Sequence, residues 1–289
     1  MKNLHLFLSL LILNCLLLVV PACGQQKQPP RLIVRADDMG FSHAANDAIM
    51  QTVKEGVATS IEVLVPSPWF PEAVKILKDN PSIDVGVHLT LTSEWDNMKF
   101  RPVSGPSSIT DEGGYFYPII HPNKNRPGQA LMEHGWKLED IEREFRAQIE
   151  LALKKIPHIS HITAHMGCYD MTPEVQAMTK KLAREYGIDI DPADYKAHKV
   201  RYAGPKETAE EKVQSFIKML ESLEAGETYF FVDHPGLNTP ELKAIHHAGY
   251  DNVAVDRQGV TDCWTDQRVK ETIRRLGIQL ISYPDLVKK

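Results

Sequence analysis

The sequence predicts an α/β fold in which parallel strands alternate with helices. Short apolar runs rich in β-branched residues recur along the chain, and the segments between them place apolar residues at helical spacing. Polar residues able to do chemistry follow several of these runs directly, as expected where the carboxyl ends of parallel strands form a site. With 43% hydrophobic and 25% charged residues, the composition is that of an ordinary globular protein and excludes bulk disorder.

The first half of the chain shows the order strand, helix, strand, helix, strand, which is typical of parallel α/β construction. The predicted strands are residues 32–34, 59–65 and 84–90, and the predicted helices between them are 46–55 and 71–78. Residues 95–125 interrupt this order with many Pro, Gly, Ser and aromatic residues. They predict a long loop over one face, where it could help to hold a substrate.

The second half continues the alternation. Its predicted helices are 138–155, 173–186, 207–223, 240–248 and 266–276, and its predicted strands are 159–165, 188–190, 228–232 and 279–281. We find no internal repeat and no linker-like segment after Pro30. Residues 31–289 are therefore expected to form a single domain, which is long enough to bury a full core.

The first 22 residues have the pattern of a cleaved secretion signal. Lys2 precedes an apolar run from Leu4 to Val20, which is just under the roughly 20 residues that a membrane-spanning helix needs and ends in small residues. The segment Val20–Cys23 resembles a bacterial lipobox, so we expect lipid attachment at Cys23, with ordinary secretion as the alternative. Residues 23–30 would form a tether, and the protein would be exported to the periplasm or cell surface and held on the membrane only by its lipid.

Cysteine content and charge narrow the function classes. Outside the N-terminal segment only Cys168 and Cys263 are present, too few for a disulfide-built scaffold, although one bridge is possible. The net charge of −5, from 33 basic and 38 acidic residues without a long basic block, argues against a nucleic acid partner. A neutral or weakly charged substrate suits this composition better.

Two adjacent carboxylates, Asp37 and Asp38, follow the first predicted strand. Two buried negative charges are costly unless a positive group neutralises them, and a metal ion would do so. Successive residues of a strand face opposite sides, but the backbone turns at a strand end, and Gly40 permits such a turn. One carboxylate could then bind the ion while the other faces the substrate, although a helix cap or surface turn is the simpler explanation of the pair considered alone.

Histidines lie near the ends of two further predicted strands. His88 belongs to strand 84–90, and His161 and His165 belong to strand 159–165. On a helix, His161 and His165 could bind one ion together, but the β-branched residues favour a strand, on which four residues span roughly 13 Å. We expect His165 to reach the ion and His161 to line the site or support the ligands. Considered alone, a histidine at the position of His88 would more often be a hydrogen-bonded core residue.

One aspartate and two histidines would leave coordination positions open for water and substrate, as a catalytic metal requires. Asp37 would then be free to act as a base. His234 follows the predicted strand 228–232, and a general acid is the role still unfilled, so His234 is the candidate for it. A hydrogen-bonded loop histidine is the alternative interpretation of His234.

With these motifs in this order, the sequence resembles the YdjC-like carbohydrate deacetylases, whose members include enzymes that act on N-acetylated chitooligosaccharides. The resemblance extends over residues 32–286. It depends on four segments, Arg35–Gly40, Gly86–Leu91, Ser160–His165 and His234–Gly236, which occur in the family's order. Four ordered motifs are much more specific than any one of them.

The resemblance implies a distorted (β/α) barrel and one divalent metal ion, with Mg²⁺ and Zn²⁺ as the first expectations. The positions that match the family's metal ligands are Asp38, His88 and His165. Asp37 matches its general base, and His234 matches the histidine of its late His-Pro motif. A homodimer is a weaker expectation from the same resemblance.

The chain also departs from the family pattern beside the expected metal. Members usually have Asn where Arg35 stands, Asp where Thr163 stands and a second His where Met166 stands. These changes leave the three ligands intact but alter the groups around them, which commonly tune metal affinity and activity. As substrate contacts we expect Arg35, His161 and Trp95, the last at the start of the long loop.

The expected function is removal of acetyl groups from N-acetylated oligosaccharides by a metal-activated water, with Asp37 as base. A glycoside hydrolase is one alternative, but its two carboxyls would flank a bond at about 5 to 9.5 Å and come from different elements, unlike Asp37 and Asp38. A glycan-binding lipoprotein of the same fold without turnover is the other alternative, because of the changes near the metal.

Overall fold

The computed structural model describes residues 28–288. The predicted signal sequence and the lipobox cysteine lie outside the described residues, so both stay predictions. Within residues 28–288, no helix has the length and apolar character needed to cross a membrane.

Seven parallel strands form one sheet. The strands are β1 (Arg31–Met39), β2 (Ser60–Val63), β3 (Asp84–Leu89), β4 (Ile159–Ala164), β5 (His198–Lys199), β6 (Thr228–Asp233) and β7 (Gln279–Leu280). Their order is β4-β3-β2-β1-β6-β5, and β7 pairs with the first residues of β1. The sheet is curled into a partial barrel with helices around it, which confirms the predicted α/β barrel class.

Nine helices accompany these strands in the described part of the chain. They are α1 (His43–Lys54), α2 (Phe70–Asp79), α3 (Leu138–Lys155), α4 (Pro173–Glu185), α5 (Ala209–Glu221), α6 (Pro240–Lys243), α7 (Val253–Thr265), α8 (Gln267–Leu276) and α9 (Pro284–Val287). Several begin at a side-chain cap: the hydroxyls of Ser42 and Thr172 accept hydrogen bonds from the first turns of α1 and α4. Thr208 and Glu211 form a capping box at α5.

The interior of the partial barrel changes from apolar to polar along the strands. At the amino-terminal end, Ile33, Ile281, Tyr283 and Leu286 form a small apolar cluster. Further along, β2, β3 and β4 bring the polar residues Glu62, His161 and His88 into the interior, each no more than 1% exposed. The carboxyl ends of the strands therefore meet around buried ionisable groups rather than around apolar side chains.

Three predictions of secondary structure were wrong or incomplete. Residues 188–190 are not a strand, and the strand that pairs with β6 is β5, eight residues further on. Helix α7 was not predicted, because its buried residues lie all around it and give no amphipathic pattern. The helix expected over 240–248 ends at Lys243.

Cys168 and Cys263 are both buried and free, so they do not form the bridge that was possible from the sequence.

Candidate metal centre

The two adjacent aspartates face the same side because Asp38 adopts a left-handed backbone conformation. Asp38 has a φ of 71°, in the left-handed region that Asp tolerates better than most residues, and the pairing of β1 with β2 is irregular there. Normal alternation is lost, so both carboxylates point at the carboxyl end of β3. Nε2 of His88 lies 3.5 Å from Oδ1 of Asp38 and 3.7 Å from Oδ2 of Asp37.

Asp38, His88 and His165 form a three-residue cluster whose ligand atoms all lie within 4.8 Å of one another. Nδ1 of His165 is 3.2 Å from Oδ1 of Asp38. All three residues are at most 5% exposed, and Oδ1 of Asp38 accepts no hydrogen bond of good geometry from any described residue. A buried carboxylate oxygen without a hydrogen bond, facing two imidazole nitrogens, fits one divalent cation.

His165 is held by two carboxylates. Its Nε2 donates to Oε1 of Glu94 over 3.0 Å, which leaves Nδ1 facing Asp38. Burial alone would lower the pKa of His165, but Glu94 and Asp38 outweigh it and raise that pKa to about 10. In the metal-free protein His165 is therefore a cation that partly neutralises the aspartate cluster, and an ion must displace its proton.

His88 has the opposite electrostatic character. Burial lowers its pKa to about 3, so its ring is neutral at physiological pH. Nδ1 of His88 lies 2.7 Å from the hydroxyl of Thr163, and that hydroxyl donates to Glu62 over 2.6 Å. A neutral imidazole with one nitrogen engaged in this way can offer the other nitrogen as a ligand.

Asp37 is clamped by Arg35, two residues before it. Nε and Nη2 of the guanidinium donate to the two oxygens of the Asp37 carboxylate over 2.7 and 2.9 Å. Nη1 of Arg35 donates to the phenol oxygen of Tyr283 over 3.0 Å, which fixes the guanidinium from behind. This bidentate pair orients the carboxylate that is the predicted base.

Arg257, from α7, is a site residue that the sequence did not reveal. It is 4% exposed, its Nη2 donates to Oδ2 of Asp38 over 3.0 Å, and its guanidinium lies over the ring of Phe41. Burial opposes ionisation of Asp38, but the positive charges of His234, His165 and Arg257 hold its pKa well below the usual range. Asp38 is therefore ionised and ready to bind a cation.

His234 stands at the open side of the cluster. Its side chain is 38% exposed, and its Nε2 lies 3.8 Å from Oδ2 of Asp38. Burial would lower the pKa of His234, but Asp38 and Asp233 raise it. Tyr202 donates to Asp233 over 2.9 Å, which orients the carboxylate beside His234. An imidazolium exposed to solvent and close to a metal ligand could donate a proton to a substrate.

Two of the three residues expected to contact substrate are buried elsewhere. Trp95 is 2% exposed and packs against Phe41, so it has no free face on which a sugar could stack. His161 is fully buried and is bonded to Glu62, which agrees with a supporting role and not with substrate contact. Only Arg35, the third, keeps some exposure, at 12% of its side chain.

Glu62 and Glu94 are two further residues of the site that were not predicted from the sequence. Glu62 could have been recognised, because it is one acidic residue inside an otherwise apolar predicted strand, where a buried charge demands a partner. Glu94 lies in the segment after β3, where nothing in the pattern marks it. Arg257 has no signal either, because the helix that contains it was not predicted.

A cavity of about 470 Å³ opens between α4 and the edges of β4 and β5. We call it the seam cavity. Its lining includes Arg35, Thr163, Tyr169, Lys199 and Tyr283. It therefore reaches, from the side of the barrel, the guanidinium that holds Asp37.

The fold and the site together define a parallel α/β barrel protein with a buried three-residue cluster suited to one divalent ion. The chain belongs to the YdjC-like protein family, whose model matches residues 31–275. It is 28% identical over 269 residues to carbohydrate deacetylase 2 of Listeria innocua, covering 90% of this chain and all of that protein. It is 34% identical over 163 residues to carbohydrate deacetylase 1 of the same organism, a match that spans 55% of this chain and 60% of that protein.

Among solved structures, the fold is similar to that of a candidate cellobiose-phosphate cleavage protein from Enterococcus faecalis. The TM-score is 0.69 at 26% sequence identity, and the match covers 90% of this chain and 99% of that one. The likeness therefore extends over nearly the whole of the described domain.

Proposed function

We propose that the protein is a metal-dependent hydrolase that removes acetyl groups from N-acetylated carbohydrates. The observation that carries the proposal is the placement of the Asp37 carboxylate directly beside the cluster of Asp38, His88 and His165. Relatives named carbohydrate deacetylases, two of them matched over nearly their whole length, support the same reaction class. The seam cavity reaches Arg35, which holds Asp37, and would give a sugar space on that side of the barrel.

The donor set favours an ion of intermediate softness. Two imidazole nitrogens and one carboxylate oxygen are typical of Zn²⁺ sites with open positions, whereas Mg²⁺ prefers oxygen ligands. When bound, such an ion would polarise the acetyl carbonyl and acidify a water molecule. We therefore expect Zn²⁺ or a similar transition metal to support more activity than Mg²⁺.

Asp37 is the group that would accept the proton of the attacking water. Arg35 fixes the carboxylate by two hydrogen bonds, so the carboxylate does not have to reorient during the reaction. His234, held beside Asp233 at the exposed side, would donate a proton to the departing amine. Arg257 keeps a positive charge beside Asp38 throughout, which favours the negative charge that develops on the acetyl oxygen.

The Arg35 clamp also supports a second candidate, a glycan-binding protein without turnover. Both oxygens of Asp37 already accept hydrogen bonds from a guanidinium, so they are less available to a water molecule than those of a free carboxylate. Metal and sugar would then bind without release of acetate.

We also propose that the protein is exported and held on a membrane by a lipid on Cys23, as the segment before it suggests. Labelled fatty acid should be incorporated into full-length protein expressed in bacteria, and Cys23→Ser should abolish the label. Label retained in that variant would place the lipid elsewhere.

The function is tested by acetate release from a panel of N-acetylated oligosaccharides. The protein, without residues 1–22, is stripped of metal and resupplied separately with Zn²⁺, Co²⁺, Ni²⁺, Mn²⁺ or Mg²⁺. We expect metal-restored release of acetate with unchanged chain length of the sugar. His88→Ala and His165→Ala should lower metal affinity by more than about 100-fold, beyond the effect of changing a residue that only supports a ligand. His198→Ala, at an exposed histidine of β5, is the matched control.

The outcomes separate the candidates. Binding of metal and sugar without acetate would establish the glycan-binding protein. Shortened sugar chains would indicate a glycoside hydrolase. If His88→Ala and His165→Ala bind metal as tightly as the unchanged protein, the ligand assignment is wrong.

A further inference from the structure

We propose that Glu62 is a positioning residue that fixes the tautomer of the metal ligand His88, acting through the hydroxyl of Thr163. The proposal rests on the metal site of the proposed function, but not on the reaction carried out there. Glu62 lies on β2 and is not one of the three residues of the metal cluster.

The three groups form one chain of short hydrogen bonds. Oε2 of Glu62 accepts from the Thr163 hydroxyl over 2.6 Å, and the same hydroxyl oxygen lies 2.7 Å from Nδ1 of His88. Glu62 is fully buried and Thr163 is 4% exposed, so these hydrogen bonds are largely shielded from solvent. His88 and Thr163 are direct neighbours across β3 and β4, which keeps the contact in register.

The direction of the protons follows from the chemistry of each group. An ionised carboxylate only accepts, so Thr163 must use its single proton on Glu62. The Thr163 oxygen can then only accept from His88, which requires the proton of His88 to be on Nδ1. Nε2 is left with a free lone pair, and Nε2 is the atom that faces Asp38 at 3.5 Å. Glu62 therefore selects the form of His88 that can bind a metal.

The negative charge of Glu62 has its own buried partner. Oε1 of Glu62 is 2.7 Å from Nε2 of His161. On the other side of that ring, Nδ1 lies 2.7 Å from the hydroxyl of Ser160, which donates to Asp84. The ring of His161 stacks on Tyr283 with ring centroids 3.5 Å apart, which fixes its orientation. The second oxygen of Glu62 therefore has a buried hydrogen-bond partner of its own.

Gly86 provides the space for this arrangement. In the sheet, Glu62 is opposite Gly86 and Gly86 is opposite His161, so Glu62 must reach across β3 to meet the imidazole. A Cβ atom on Gly86 would lie 2.3 Å from Oε2 of Glu62 and 2.5 Å from Nε2 of His161. Any side chain at this position would therefore separate Glu62 from His161.

The test compares three variants by two measurements that do not depend on turnover. Glu62→Gln keeps the shape but adds a donor, Thr163→Val removes only the hydroxyl, and Glu144→Gln makes the same exchange at another buried glutamate, which instead binds the amides of Val103 and Ser104. The tautomer of His88 is read from its ¹⁵N chemical shifts in metal-free protein. Zn²⁺ affinity is measured by competition with a chromogenic chelator.

In the unchanged protein we expect the proton of His88 on Nδ1. Glu62→Gln should shift the proton toward Nε2, because the new amide can donate to Thr163 and make that hydroxyl donate to His88. Zn²⁺ affinity should fall by about 10- to 100-fold in Glu62→Gln and in Thr163→Val. Glu144→Gln should leave the tautomer and the affinity unchanged.

Thr163→Val keeps the proposal testable if Glu62→Gln is poorly folded, and a rescue variant separates loss of the acceptor from general damage. Thr163→Asp combined with Glu62→Gln places an acceptor directly beside Nδ1 of His88, so the tautomer and most of the Zn²⁺ affinity should return. A proton on Nε2 in the unchanged protein, or unaltered Zn²⁺ affinity in both Glu62→Gln and Thr163→Val, would overturn the proposal. Absence of acetate release with these results intact would contradict only the deacetylase function.

Discussion

The two sides of the partial barrel differ in how completely their groups are paired. On the side of β1 to β4, neighbouring strands pair along most of their length, and buried polar groups such as Glu62, His88 and His161 are linked by short hydrogen bonds. On the side of β5, the strand has two residues, and the seam cavity of about 470 Å³ opens against α4. The longer strands bring the metal ligands together, whereas the two-residue strand β5 leaves space for a ligand.

The largest expected effect concerns the base on the well-paired side. Asp37→Asn keeps an acceptor oxygen for Arg35 but cannot take up a proton, so kcat should fall by about 10²- to 10⁴-fold. Metal affinity should not change, because Asp38 and the two histidines remain. Acetate release and chelator competition measure the two quantities, and unchanged kcat would exclude Asp37 as the base.

Metal removal should affect the two sides of the barrel to different extents. An ion at about 100 times its Kd should raise the free energy of unfolding by about 2.7 kcal/mol, and a chelator should reverse the gain. Amide hydrogen exchange should slow on metal binding in β1, β3 and β4, which contain or adjoin the ligands, and not in β5. Equal protection on both sides would show that the barrel responds as one unit.

The sequence predicted the well-paired side much better than the other. Strands β1 to β4 contain buried apolar residues, and β1, β3 and β4 contain or precede a functional residue, so both their positions and the cluster of Asp38, His88 and His165 could be predicted. Segment 188–190 was wrongly predicted as a strand because its short apolar pattern is not supported by a pairing partner. Pairing is a property of the tertiary fold and not of three residues.

The groups that tune the cluster could not be predicted, because they arrive from distant parts of the chain. Arg257 reaches Asp38 from a helix 219 positions away, and Glu94 reaches His165 from a segment without regular structure. The departure from the family pattern at Thr163 is different. The carboxylate of Glu62, from β2, accepts a hydrogen bond from the Thr163 hydroxyl, so this position is still hydrogen-bonded to an acidic residue.

A smaller effect is expected from crowding the barrel interior. Gly86→Ala should lower the free energy of unfolding by about 1–3 kcal/mol, because its methyl group would force Glu62 and His161 apart. Gly135→Ala is the matched control, since no atom lies within 4 Å of the added Cβ and no left-handed φ is required there. Urea unfolding of both variants checks the difference, and equal stabilities would contradict tight packing at Gly86.

The smallest effect is expected from a substitution in the lining of the seam cavity. Burial, Arg35 and Arg201 together lower the pKa of Lys199, and Lys199 forms no ion pair with any described residue. Lys199→Ala should therefore change the free energy of unfolding by less than about 0.5 kcal/mol and leave metal affinity unaltered. If the seam cavity holds the sugar, KM will change while kcat stays the same. A loss of metal affinity would show that the two sides are coupled.

The left-handed turn at Asp38 has a consequence for the robustness of the site. Because consecutive residues supply the base and a metal ligand, their Cα atoms are separated by one trans peptide unit, about 3.8 Å. Covalent geometry thus fixes their Cα spacing. Thermal motion of whole strands can shift the histidines relative to the aspartates. The distance between the Cα atoms of Asp37 and Asp38 stays almost constant during such motion.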